Sequence, residues 1–90
     1  MATVLVTYDL KTPGADYVGL AAELKSLGTW WHHLESTWFI VTDETPDELF
    51  ERLRPHLGAN DKLLILTVQS APLQGWLNQR AWTWLDNNLE

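Results

Sequence analysis

The chain predicts an α+β fold on one antiparallel sheet, and three features of its 90 residues carry that prediction. Four runs rich in Val, Ile, Leu, Thr and Trp read as strands. Segments of helical spacing alternate with them in the order β-α-β-β-α-β, followed by one more helix. Only two residues, Glu35-Ser36, separate the second and third runs, so those strands must form a hairpin.

The first strand covers residues 3–8, a β-branched and apolar run that suits a central position. Asp9 ends it with a charge. Lys11-Thr12-Pro13-Gly14 is turn chemistry. Over residues 16–27, Tyr17, Leu20, Ala21, Leu24 and Leu27 make one stripe, with Asp16 as cap and Gly28 as a left-handed exit. Thr29–Leu34 and Thr37–Thr42 form the hairpin. Its turn is neither Asn-Gly nor Asp-Gly, so the register stays open. At Thr45-Pro46-Asp47-Glu48 a helix starts: Thr45 caps, Pro46 suits the first position and Glu48 closes a capping box. Leu49, Phe50 and Leu53 are its expected buried stripe, and Pro55 ends it near Arg54. Gly58-Ala59-Asn60-Asp61 turns the chain into the strand Lys62–Val68. A loop containing Pro72 leads to Asn78, the cap of a last helix with the stripe Ala81, Trp82, Leu85 and Leu89.

This order is the ferredoxin-like, split βαβ arrangement, with spatial strand order 4-1-3-2. One domain is expected over 1–90, with a core in 1–70 and a tail helix in 71–90. The two main helices cover one sheet face. The other face also carries Trp, Leu and Ile, and needs either the tail helix or a second subunit.

Composition narrows the function. No apolar run reaches the ~20 residues needed to span a bilayer. No basic segment leads into a long apolar stretch, and there is no cysteine, which together lead us to expect a cytoplasmic protein. A net charge of −6 with only six scattered Lys and Arg disfavours a phosphate-gripping surface, although a protein partner remains open. The six tryptophans are divided between core volume and interface.

The topology brings separate acids to one end of the sheet. Strand 1 runs toward Asp9, and strands 3 and 4 start at that end. Asp9 is therefore expected near Glu35, Ser36 and Thr37 on one side and Asp61 on the other, with Asp16 close by. Such a cluster suits Mg²⁺, which takes oxygen ligands and keeps several waters; turns are also rich in Asp for purely local reasons. His32 and His33 are adjacent on a strand, so they point to opposite faces and cannot chelate one ion together. Each is better explained by packing or hydrogen bonding, and His56 by surface. Ser36 and Thr37 lack a Gly-x-Ser-x-Gly context, which excludes a hydrolase triad of that kind.

Several motifs carry a family resemblance across nearly the whole chain. They are Tyr8-Asp9-Leu10, Ser26-Leu27-Gly28-Thr29-Trp30-Trp31-His32, Leu34-Glu35-Ser36-Thr37-Trp38, Arg52-Leu53-Arg54-Pro55-His56-Leu57, and Gly75-Trp76-Leu77 with Ala81-Trp82-Thr83-Trp84-Leu85. Together they resemble the SinR-like small proteins related to the CRISPR-associated Cas-two family. The resemblance implies a homodimer in which Asp9 of each subunit meets its mate across the axis. Separated by roughly 4–6 Å, twice a metal–oxygen length, the two carboxylates would hold one Mg²⁺ for phosphodiester cleavage in RNA or DNA. Asp9 is then the metal ligand and catalytic residue, with Tyr8 and Ser36 beside it. Other relatives act structurally, which implies the alternative of a non-catalytic dimeric adaptor, defence- or toxin-associated. Where the family carries arginine and glutamine before the hairpin serine, this chain has His33-Leu34-Glu35. That departure and the acidic charge argue against cleavage.

Overall fold

The computed structural model describes residues 1–12 and 17–89. The strands are β1 (Ala2–Asp9), β2 (Thr29–Leu34), β3 (Thr37–Thr42) and β4 (Lys62–Val68), and the helices α1 (Tyr17–Ser26), α2 (Pro46–Leu53) and α3 (Gln79–Asn88). The sheet is antiparallel in the order β2-β3-β1-β4, as the element order predicts. Asp16, the expected cap of α1, lies outside the described residues.

Alternation along the strands sorts the side chains into two cores. Val4, Val6, Trp38 and Ile40 face α1 and α2, where Leu20, Leu24, Leu49 and Leu53 complete a fully buried cluster. Trp31 faces the other way and packs with Ala81 and Leu85 of α3, with Phe39 and Trp84 beside them. The tail helix thus covers part of the second face. It is fastened at both ends: the Trp31 indole donates to the Ala81 carbonyl at 3.1 Å, and the Thr3 hydroxyl to the Asn88 carbonyl at 2.6 Å. Asn78 caps α3 by accepting from the Ala81 N–H at 2.9 Å.

The capping box of α2 forms as its residues require. The Thr45 hydroxyl accepts from the Glu48 N–H at 3.2 Å, and the Glu48 carboxylate accepts from the Thr45 N–H at 2.9 Å. Thr45→Ala is expected to cost about 1 kcal/mol. That would appear as a lower urea midpoint at unchanged m-value, while a midpoint equal to the parent's would contradict it.

Three details differ from the sequence reading. Phe50 is largely exposed rather than part of the α2 stripe, because it turns away from Leu49 and Leu53. Pro55 does end α2 at Leu53, but the chain first passes into a 3₁₀ turn, Arg54–His56, before extending. Gly28 is not in the left-handed helical region; its φ of 158° is close to extended. Glycine is needed there because a Cβ would collide with the Val41 carbonyl oxygen.

Candidate functional site

Strand register decides what Asp9 can meet. Thr7 pairs with Thr37 on β3, and Asp9 pairs with Lys62 on β4. The Tyr8 N–H donates to the Ser36 carbonyl at 3.1 Å, so the hairpin turn lies directly beside the end of β1. The expected convergence of Asp9, the Glu35-Ser36 turn and the start of β4 is therefore present.

Convergence of backbone does not make a cluster of free carboxylates. Asp61 is committed to structure. Its Oδ1 accepts from the Lys11 N–H at 2.6 Å, the Tyr17 hydroxyl at 2.6 Å and the Thr12 N–H at 3.1 Å, and its Oδ2 accepts from the Gly58 N–H at 2.8 Å. Burial raises its pKa, but the donors from Tyr17, Gly58, Lys11 and Thr12 outweigh that and hold it far below the ordinary carboxylate value. With Oδ1 already taking three donors, Asp61 has little left to offer a cation. Among the described residues, no three His, Asp or Glu side chains are grouped to hold a metal ion.

Asp9 itself is exposed at the strand end, and its carboxylate takes no hydrogen bond from the described residues. It borders a shallow cavity of about 230 Å³ with Thr7, Lys62 and Leu64. A single carboxylate of this kind can supply only part of a Mg²⁺ shell. The described residues of one chain therefore do not complete a metal site at Asp9.

Tyr8 and Ser36 are near Asp9 in the chain path but serve other ends. Tyr8 points to the opposite face, where its hydroxyl accepts from the Trp38 indole at 2.9 Å and reaches the Glu35 carbonyl at 3.5 Å. Ser36 occupies the exposed hairpin turn. The imidazole with the closest chemical interest, His32, is bonded through Nε2 to the Glu35 carbonyl at 3.0 Å and stacks on Trp38 at 3.9 Å between ring centres. His33 packs against Trp31 on the other face, 5.0 Å away. The two histidines do face opposite ways, as the strand periodicity requires.

The face that carries Asp9 is only half covered. Leu5, Thr7 and Asp9 on β1 lie opposite Leu66, Leu64 and Lys62 on β4. The α3 helix sits over β2 and β3, leaving Leu64 57% and Leu66 37% exposed. The apolar second face is expected from the sequence, but how much of it stays open depends on where α3 docks.

A second concavity, of about 690 Å³, runs between β2 and α3 and includes Trp30, His33, Arg80 and Trp84. Nothing in the linear sequence joins residues 30–33 to residues 79–88; the Trp31–Ala81 hydrogen bond does. No helix among the described residues is long and apolar enough to cross a membrane. No family model, curated protein or solved structure matches the chain.

Proposed function

We propose that the protein is a ferredoxin-like, Cas-two-like dimeric interaction module, whose two copies meet through the uncovered β1–β4 half of the second sheet face. The observation that carries this reading is the apolar strip of Leu64 and Leu66 beside half-buried Leu5, which no helix or strand among the described residues covers. The β-α-β-β-α-β order and the motifs of the SinR-like and Cas-two proteins support it. The charge of −6 favours a protein partner over nucleic acid.

One observation favours a second reading, a Mg²⁺-dependent endonuclease acting on RNA or DNA. Asp9 shares the uncovered face with Leu64, and its carboxylate takes no hydrogen bond from the described residues. A face-to-face dimer would bring two such carboxylates toward one axis. They would be the ligands contributed by this chain, and the metal would supply charge neutralisation at a phosphodiester.

Sedimentation and light scattering test the dimer. The parent is expected at twice the 10.3 kDa chain mass, and Leu64→Asp at the monomer mass with an unchanged circular dichroism spectrum. A parent that stays monomeric at 100 µM, roughly the concentration scale of a weak dimer, would overturn the reading. Calorimetric binding of Mn²⁺ or Mg²⁺ that disappears in Asp9→Asn, together with cleavage of RNA or DNA, would move the conclusion to the nuclease.

A further inference from the structure

We propose that the groove between the free edge of β2 and the flank of α3 binds an acidic, extended peptide segment of a partner protein, which joins the sheet as a fifth strand. The groove is complete within one chain and does not depend on dimerisation.

The lining itself identifies the strand edge as one wall. Trp30, Trp31, His32 and His33 all border the groove, although successive strand residues point to opposite faces. A concavity that touches all four must run along the edge between those faces. β2 is an outer strand, so among the described residues its outward N–H and C=O groups have no neighbouring strand. Proteins usually blunt such edges with Lys or Pro, or cover them. This edge has no Pro or Lys, and it carries two tryptophans and two histidines. The register to β3 shifts between Trp31 and Leu34.

The opposite wall is one face of α3. Gln79, Thr83 and Asn87 recur every four residues, with Arg80 and Trp84 beside them. Because α3 is hydrogen-bonded to the body at both ends, the groove is preformed. An edge strand facing a helix is the geometry of β-strand addition: the backbone ladder supplies affinity and side pockets read alternate residues. The six residues of β2 span roughly 20 Å, enough for an extended segment of about six residues. Trp30 and Trp84 offer apolar contacts for its alternate side chains.

Charge selects the partner. The chain carries a net charge of −6, yet among the described residues no carboxylate lines this groove. Arg80 and two imidazoles do. Lys25 adds a second cation at the margin, with its ammonium 5.2 Å from the Trp30 ring centre. Arg52 and Arg54 are paired with glutamates, whereas Arg80 has no carboxylate partner among the described residues. An acidic peptide complements this surface. A nucleic acid strand fits less well, because phosphate binding draws on several Lys and Arg and the groove has one Arg.

Selection from a displayed library of random 12-residue peptides against the full chain tests the proposal. Enriched peptides are expected to carry Asp or Glu alternating with apolar residues and to bind with Kd on the order of 1–100 µM. Arg80→Glu should weaken them about tenfold or more, Arg80→Lys much less, and Thr83→Trp should block the groove. Amide resonances of residues 30–33 should shift on binding. Leu64→Asp should bind as the parent does, which separates this groove from the dimer face. The proposal is overturned if no peptide is enriched, or if the enriched peptides bind Arg80→Glu and Thr83→Trp as well as the parent. It is equally overturned if a 12-residue oligothymidylate occupies the groove in preference to them, since that assigns the site to nucleic acid.

Discussion

Trp38→Ala is expected to lower the unfolding free energy by about 3–5 kcal/mol, the usual cost of removing a large buried aromatic. Trp38 is fully buried at the centre of the sheet, on β3 between β1 and β2. Its ring is flanked by Trp30 at 5.5 Å and by the stacked imidazole of His32. Its indole N–H donates to the Tyr8 hydroxyl, which in turn approaches the Glu35 carbonyl. The substitution therefore opens a cavity and removes the donor that orients Tyr8. A domain of this length has only about 5–13 kcal/mol in total, so a large share of its stability goes with one side chain. Trp38→Phe keeps most of the volume and loses the hydrogen bond, and should cost less than half as much. Urea unfolding followed by circular dichroism reads both values. A Trp38→Ala cost under about 1 kcal/mol would contradict this account of the core.

Asp61→Ala should lower Tm by roughly 10 °C or more, and Asp61→Asn should not rescue it. The carboxylate joins three separate segments: the end of β1 through Lys11 and Thr12, the start of α1 through Tyr17, and the turn before β4 through Gly58. Gly58 sits so close to Thr12 that a Cβ there would collide with its side chain. An Asn amide cannot accept through both of its polar atoms, so one donor would face another donor. The pH dependence follows from the direction of the shift. The folded pKa lies far below the ordinary 3.8, so the unfolded chain takes up the proton first. The contribution of Asp61 is fully present above that ordinary value and is lost as pH falls toward the folded one. The difference in Tm between parent and Asp61→Ala should hold constant from pH 5 to 8 and shrink steadily below about pH 4. A difference that grows with acid would refute the assignment.

The same residue shows why the site was harder to read than the fold. Asp9 and Asp61 look alike in the sequence, each an acid at a strand end. Topology predicts that both reach one end of the sheet. It does not say which carboxylate finds donors. That depends on the Lys11–Thr12 backbone folding back over the turn at Gly58, across about fifty residues of sequence separation. Tyr8 illustrates the opposite case. Its separation from Asp9 onto the other face follows from strand alternation alone, as does the division of His32 from His33.

Local chemistry by itself determined the elements of this protein. Apolar periods of two and of 3.6, the box at Thr45 and Glu48, and the cap at Asn78 each act within a few residues, so the sequence carries them openly. The two-residue hairpin then constrained β2 and β3 to be neighbours, and the element order set the sheet order. Only the tertiary structure decided which surfaces remain. The docking of α3 through Trp31 and Thr3 covers one half of the second face and leaves Leu64 and Leu66 open on the other. The same docking creates the groove along β2. The physical reason is that exposure and hydrogen-bond partnership are properties of long-range packing, set by contacts between residues up to 85 positions apart.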